Sequence, residues 1–248
     1  MKTIQRTLRT FILLLALSPI PAAAEFIAIL QGGAVYSSRN DVALPGDTGT
    51  RFSYVDDLDS DIVFSPRVEA GYEFAGRHYV GLMASWLRIR PGGRLDRAVE
   101  FDGKTFPAGS DVKGRFRFDS YRASYRYYFL SNGIVKLGAG ITGKIRDAGI
   151  SLEGGGQKGG LDNTGFVPLL NFYLEWIVSP ALSLLACGDA AWSPYGRAED
   201  VFAGIVYRHT ERVALMAGYR LLEGGADNDT VYTFSMFHYA VLGAELRY

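Results

Sequence analysis

The sequence predicts an all-β protein, a transmembrane antiparallel up-and-down β-barrel of about ten strands. Three observations predict it: the composition, a regular alternation of apolar and polar residues, and an alternation of short and long connections. The 248 residues include 30 Gly, 15 Phe, 15 Tyr and 3 Trp, but only 9 Pro and 1 Cys. Gly and aromatic residues this abundant are unusual for a soluble helical protein.

Charge and cysteine content exclude several classes of function. The 26 basic residues balance the 26 acidic residues, which excludes a strongly basic nucleic-acid binder. The single residue Cys187 excludes a disulfide framework and a Cys-rich zinc site, and we expect it to fill space inside the barrel. We expect no metal and no cofactor.

The first 24 residues have the three regions of a secretory signal peptide. Lys2, Arg6 and Arg9 form a basic start, an apolar run extends from Phe11 to Leu17, and small residues end at Ala24. The apolar run is far shorter than the roughly 20 residues that a transmembrane helix needs. We therefore predict a cleaved signal peptide at 1–24 and one barrel domain at 25–248.

The mature chain alternates between apolar and polar residues, as strands with two different faces do. In 64–74, for example, one face carries Phe64, Val68 and Tyr72, while the other carries Arg67 and Glu69. Repeats of this pattern predict ten strands, although other pairings of 181–223 would give eight or twelve. The predicted strands are 26–37, 62–74, 79–90, 114–129, 134–150, 165–177, 181–192, 198–208, 213–223 and 231–247.

Connections between the predicted strands alternate in length. The short ones lie at 75–78, 130–133, 178–180 and 209–212, and the longer ones at 38–61, 91–113, 154–160, 193–197 and 224–230. We expect the Gly-rich connection 154–160 to be a flexible loop, since it lacks the Lys-Ser/Thr of a phosphate-binding loop. Short turns at one rim and long loops at the other are typical of a bacterial outer-membrane barrel.

Solvation decides which face meets lipid. An Arg or Lys on the lipid face costs about 2–4 kcal/mol at the bilayer midplane, so the charged face must line the lumen. The predicted charged network of the lumen comprises Arg67, Glu69, Glu73, Arg122, Arg126, Lys136, Lys144, Arg146, Glu175, Asp189, Arg208, Arg220 and Glu245, with Arg247 on the same face.

Aromatic residues near the ends of the apolar faces predict two girdles at the membrane interfaces. The predicted girdle residues are Tyr72, Phe74, Trp86, Tyr127, Phe129, Phe166, Trp176, Trp192, Tyr219 and Tyr248. A secreted β-sandwich or a lipocalin-like barrel is the soluble alternative, with its apolar faces inward. The aromatic residues at the strand ends favour the membrane barrel.

The last predicted strand carries the most specific resemblance. Tyr232, Phe234, Leu242, Leu246 and Tyr248 belong to an apolar face that alternates with a polar one and ends on an aromatic residue. This pattern resembles the terminal strand of bacterial outer-membrane proteins, and the chain is similar in size to the small OmpA-like, OmpX-like and OmpW-like barrels. The resemblance implies export to the outer membrane of a Gram-negative cell and recognition of this strand by the barrel-assembly machinery.

Two enzyme families among such barrels resemble the chain only in part. The omptin proteases carry an Asp-His pair at the outer rim; here Asp57, Asp59 and Asp61 lie in a predicted outer loop, but no Asp-x-His occurs. The lipid A deacylases carry a His-x-Ser motif on the lipid face. His238 takes the histidine position, but Ala240 occupies that of the nucleophile, and alanine cannot form an acyl-enzyme. We therefore expect no enzymatic activity.

The predicted lumen holds more basic than acidic residues, which leaves two interpretations. The charges either pair to form a polar plug or line a narrow water-filled path that prefers anions. We expect a structural or surface-interaction barrel, with a narrow porin-like channel and a lipid A-modifying enzyme as the alternatives. Expected partners are outer-membrane lipids and lipopolysaccharide, whose phosphates would lie near Arg115 and Arg117; no nucleic-acid partner is expected.

Overall fold

The computed structural model describes residues 24–193 and 196–248, so the predicted signal peptide lies, up to residue 23, outside the described residues. Within the described ranges, ten long strands form the barrel. They are β1 (Glu25–Ala43), β2 (Val63–Phe74), β3 (His78–Ile89), β4 (Asp111–Ser131), β5 (Val135–Gly154), β6 (Gln157–Ser179), β7 (Leu182–Ser193), β8 (Gly196–Arg208), β9 (Val213–Asp227) and β10 (Tyr232–Arg247).

Each strand pairs antiparallel with its neighbours in sequence, and the barrel closes between β1 and β10. That closing ladder extends from Ile27 opposite Arg247 to Ala43 opposite Tyr232. The predicted all-β up-and-down barrel of ten strands is confirmed, and counts of eight and twelve are excluded. The described residues include no helix that is long and apolar enough to span a bilayer.

The outer surface of the barrel is apolar. Leu30, Leu82, Ile141, Leu170 and Leu242 are each at least 62% exposed, whereas many charged side chains of the same strands are buried inside. Apolar surface of this extent is unfavourable in water but suits lipid. The arrangement is that of a membrane-spanning barrel, not of a soluble barrel with an inward apolar face.

The Gly-rich segment at 154–160 is not a flexible loop, so that prediction was wrong. β5 continues to Gly154 and β6 begins at Gln157, with a two-residue turn at Gly155 and Gly156. Both turn residues have positive φ, 58° and 77°, which glycine adopts without steric cost and which matches the twist of a hairpin. β6 therefore extends past its pairing with β7 at the outer rim, whereas β5 stays paired with β4 as far as Gly154.

Two predicted loops fold into a small outer domain, defined here as residues 44–62 and 90–110. Its core contains Phe52, Tyr54, Leu58, Leu95, Val99, Phe101 and Phe106, each at most 4% exposed. A hairpin of Val99–Phe101 with Lys104–Phe106 lies within it. The Tyr54 hydroxyl donates to the Ser151 carbonyl at 2.8 Å, which ties the domain to β5. Burial also raises the pKa of Tyr54, so the phenol keeps its proton.

We expect Gly156→Ala to lower the free energy of unfolding by about 1 kcal/mol, because a Cβ disfavours positive φ. Gly92→Ala is the matched control, since its φ is not positive and the added Cβ would meet only the Val112 carbonyl oxygen, at 3.6 Å. Urea unfolding of the refolded barrel measures both values. Equal effects of the two substitutions would contradict the assignment of a tight turn.

Candidate functional site

Asp200 of β8 is the centre of a buried ion network at mid-height in the lumen. Its Oδ2 accepts a hydrogen bond from Arg67 Nη1 at 3.0 Å and forms an ion pair with Arg122 Nη2 at 2.6 Å, and its Oδ1 accepts a hydrogen bond from Arg220 Nη1 at 2.6 Å. Asp200 is absent from the charged network that the sequence predicts, although it has the same even parity as Arg208 on the same strand. Because alternate residues of a strand share a face, the sequence already indicated that Asp200 faces the lumen.

Asp189 of β7 extends the network toward the short turns. It accepts hydrogen bonds from Arg122 Nη1, Thr142 Oγ1 and Asn171 Nδ2, each at 2.7 Å. Asn171 Oδ1 accepts in turn from Arg126 Nε at 2.6 Å. Hydrogen-bonded side chains thus continue across the lumen, as buried charges require.

Tyrosine rings fill the lumen below this network. The Arg126 guanidinium lies 4.7 Å from the Tyr173 ring centroid, 5.1 Å from that of Tyr79 and 5.8 Å from that of Tyr128. The Tyr79 hydroxyl donates to Glu69 Oε1 at 2.7 Å. These rings leave little open area on the barrel axis, and sequence analysis did not identify them as plug residues.

The remaining predicted lumen charges on this side pair near the rim of short turns. Lys136 lies 2.5 Å from Glu73, Arg247 lies 2.5 Å from Glu245, and Arg208 contacts Glu175. The spaces left around the whole network are about 20 and 70 Å³, and Cys187 lines the larger one. Such spaces hold a few waters at most, so the lumen is closed at this height.

Lys144 and Arg146 lie on the outer side of this plug and are not part of it. Lys144 is 3% exposed, and no carboxylate of the described residues lies within 4 Å of its ammonium, which is 5.1 Å from the Phe118 ring. Arg146 Nη2 donates to Asn163 Oδ1 at 2.5 Å, while its Nε is buried without a partner among the described residues. Sequence analysis assigned both residues to the same charged network as the others.

Both residues line a cavity of about 450 Å³ in the outer half of the barrel. Most of its lining is apolar or small, including Phe116, Phe118, Ala148, Pro168, Ala198, Leu222 and Phe237. Its charged residues are Lys144, Arg146, Arg197 and Glu223, of which Arg197 and Glu223 form an ion pair. Periodicity gave no sign of this cavity.

The predicted girdle residues lie on the outer surface. Tyr72, Tyr127, Phe129, Phe166, Trp176, Trp192, Tyr219 and Tyr248 are exposed there, from 37% for Tyr127 to 91% for Trp192. Phe74 and Trp86 are half-buried: Phe74 stacks on His78 at 5.2 Å, and Trp86 Nε1 donates to the Tyr121 hydroxyl at 3.3 Å. Tyr232, which lies on the same predicted face, is instead 8% exposed, beneath the Arg51 guanidinium at 3.6 Å.

His238 forms two short contacts on the outer face. Its Nε2 lies 2.6 Å from Ser38 Oγ, and its Nδ1 lies 2.5 Å from the Tyr219 hydroxyl. Ser38 is the extra residue of an irregularity in the ladder, between Ser37 opposite Phe237 and Arg39 opposite Met236. A serine of the neighbouring strand β1 therefore lies within hydrogen-bond distance of His238.

Some residues of the predicted aspartate cluster and some of the outer arginines form hydrogen bonds and ion pairs within the protein. Asp57 Oδ2 accepts from the Ser53 amide at 2.7 Å and from Arg97 at 3.4 Å within the outer domain. Arg117 contacts Asp147 and lies 2.8 Å from Asp162, on the outside of the barrel. Among the described residues, no group of three or more His, Cys, Asp or Glu side chains is arranged to hold a metal ion.

No protein-family model and no curated protein matches the chain. Among solved structures, it is similar to the outer membrane protease OmpT from Escherichia coli, with a TM-score of 0.52 and 8% identity, over 90% of this chain and 97% of that one. Ail, the attachment invasion locus protein of Yersinia pestis, has a TM-score of 0.37 and 15% identity, over 91% of this chain and 99% of that one. The NanC porin has a TM-score of 0.42 and 9% identity, over 88% and 98%. The similarity to OmpT agrees with the closed ten-stranded barrel and confirms the outer-membrane β-barrel fold that the sequence predicts.

We expect Asp200→Asn to lower the free energy of unfolding by about 3–5 kcal/mol, because it leaves three buried arginines without their shared carboxylate. Glu153→Gln is the control: Glu153 pairs with Lys158 at 3.0 Å, but both side chains are at least 60% exposed. That substitution should cost less than about 1 kcal/mol. Urea unfolding in lipid measures the difference, and an Asp200→Asn barrel as stable as Glu153→Gln would contradict a network centred on Asp200.

Proposed function

We propose that this chain is a non-enzymatic outer-membrane barrel with a non-conducting lumen, which acts in contacts at the cell surface through its outer domain. One observation carries the proposal: three arginines from three strands converge on Asp200 and close the lumen. The folded outer domain supports the second half, because its buried residues pack into one cluster with lumen residues such as Phe116 and Phe237 and so present a defined surface rather than mobile loops.

The energetics of the plug favour the non-conducting barrel over the narrow anion channel. A conducting path would have to separate buried pairs, and breaking one such pair costs about 3–5 kcal/mol. The arginines that a channel would offer to anions are already occupied, since Arg122 binds both Asp189 and Asp200. Hydrated rings of free basic side chains, on which anion selectivity depends, are therefore absent from this level of the described lumen.

The residues on the outer surface support lipid and lipopolysaccharide as partners. The apolar belt contacts lipid acyl chains, and Arg115 and Arg117 lie outside the barrel, where lipopolysaccharide phosphates are their natural counter-ions beside Asp162. The alternating terminal strand, with its final Tyr248, is the segment that the barrel-assembly machinery would bind. Residues 1–24 would direct export to the Gram-negative cell envelope.

We expect residues 25–248, refolded in a lipid bilayer, to give no discrete single-channel current under a salt gradient. The closed Asp200 network is the physical reason. Slower migration of the boiled sample in gel electrophoresis verifies that the silent protein was folded. Discrete steps with an anion-biased reversal potential would contradict the proposal and support the narrow channel.

Hydrolysis of acyl esters in the outer leaflet is a second candidate function, favoured by the contact between Ser38 and His238. With Nδ1 protonated and donating to Tyr219, the free Nε2 would accept the Ser38 proton. Ser38 Oγ would then attack the ester carbonyl and form an acyl-enzyme as the alcohol leaves with that proton. Water would hydrolyse the acyl-enzyme, releasing the fatty acid and regenerating the serine.

For this second function we expect a loss of acyl chains from lipid A, measured by mass spectrometry, that Ser38→Ala removes. His238→Ala should lower the rate about 100-fold or more, because it removes the general base. Tyr36→Phe is the control: its ring lies 6.0 Å from that of His238, but no hydrogen bond joins them. Lipid A of unchanged mass with the unsubstituted protein would exclude the hydrolase and agree with a non-enzymatic barrel.

A further inference from the structure

We propose that the cavity in the outer half of the barrel is a binding site for an alkyl chain with an anionic head group, which enters through a gap in the barrel wall. The site lies outside the plug, so it is independent of whether the barrel conducts. Four observations carry the inference: an interrupted ladder, a lining drawn from both faces of the wall, an apolar interior, and an excess of positive charge.

The backbone pairing between β6 and β7 covers only the half of β6 nearest the short turns. Within the described residues, it extends from Ser179 opposite Leu182 to Leu170 opposite Ala190 and no further. β6 continues to Gln157 with ladder partners only on β5. Next to the gap, residues 162–169 of β6 therefore have an unpaired strand edge among the described residues.

The cavity reaches this gap at the level of the outer girdle. Its lining includes inward residues such as Phe118 and Phe237, and also Phe166 and Trp192, which lie on the outer surface at 70% and 91% exposure. A cavity lined from both faces passes through the wall. Phe166 pairs with Ile145, itself 50% exposed on the apolar belt, so the gap faces the outer leaflet.

The size and lining of the cavity suit an alkyl chain. Its volume of about 450 Å³ lies within the usual range of small-molecule sites. Apart from four charged residues, the walls are mainly aromatic, aliphatic or small side chains. Burial of methylene groups there is favourable by about 0.8 kcal/mol each relative to water.

The charges select an anionic head group. The lining contains three basic side chains, Lys144, Arg146 and Arg197, against the single carboxylate of Glu223, which Arg197 already pairs. Lys144 is 3% exposed and has no carboxylate partner among the described residues, and Arg146 Nε is buried without one. A buried ammonium without a counter-ion is costly, and a ligand carboxylate or phosphate would offset that cost.

The test places a tryptophan as a fluorescent reporter inside the lumen, away from the lipid-facing surface of the barrel. In a barrel with Trp86, Trp176 and Trp192 changed to Phe, Phe118→Trp puts the only tryptophan in the cavity wall, inside the lumen. In the matched control, Tyr128→Trp puts it among the aromatic rings of the plug, outside the cavity lining. Both proteins, residues 25–248, are refolded in phosphatidylcholine vesicles and titrated with 12-bromododecanoate, whose bromine quenches tryptophan on contact.

We expect saturable quenching of the reporter at position 118 and none at position 128. Quenching by 12-bromododecan-1-ol should need about tenfold more ligand, and Lys144→Met should reduce the affinity for the carboxylate by about tenfold, because each change removes the charge-assisted contact. Ala148→Phe should abolish quenching by filling the cavity. Ala198→Phe, on the opposite wall, tests the same point if the first variant does not fold.

Equal quenching at positions 118 and 128, or quenching that survives both filling substitutions, would overturn the site. Equal affinity for acid and alcohol, unchanged by Lys144→Met, would overturn the anionic head group. A second arm replaces the free acid with brominated phosphatidylglycerol in the vesicles. Quenching in that arm identifies a membrane lipid as the source of the chain, whereas quenching by the free acid alone identifies a free fatty acid.

Discussion

The cost of placing charge in lipid is the constraint on which the rest of this structure depends. Charged side chains on the spanning strands have to face the lumen, because the other face meets acyl chains. Once inside a ten-stranded barrel they are crowded together, and they remain ionised only when paired and hydrogen-bonded. Asp200 satisfies this requirement for Arg67, Arg122 and Arg220 at once and thereby links β8 to β2, β4 and β9 across the lumen.

The two halves of the lumen differ because their side chains and strand lengths differ. Below mid-height the rings of Tyr79, Tyr128 and Tyr173 fill the interior. In the outer half, small residues such as Ala148, Ala198 and Gly224 leave space. β6 is also 23 residues long and β7 only 12, and the ladder between them ends at Leu170 opposite Ala190, so the upper part of β6 is unpaired on that side among the described residues. The cavity and the gap beside it both follow from these local differences.

Two further features lie on the outer face: one depends on a strand irregularity and the other on an ion pair. The register shift after Ser37 brings Ser38 next to His238, although 200 residues separate them in sequence. Asp119, which alternation places on the outer face, is only 3% exposed, because Arg88 contacts it with both terminal nitrogens. An outward carboxylate at this height needs such a partner near the membrane interface.

The sequence alone determined a barrel of about ten strands, the orientation of their two faces, and several charged plug residues, such as Arg122 and Asp189. These features are local, because successive side chains of a strand point to opposite faces, so the position of a residue in its strand decides whether it faces the lumen or the lipid. Only the tertiary structure decided which charges meet, that Lys144 and Arg146 lie beyond the plug, and that Gly155 and Gly156 make a tight turn. It also decided the core of the outer domain, the cavity and the contact between Ser38 and His238. These features arise from strand register, strand length and packing between distant segments, and alternation along one segment contains no information about any of them.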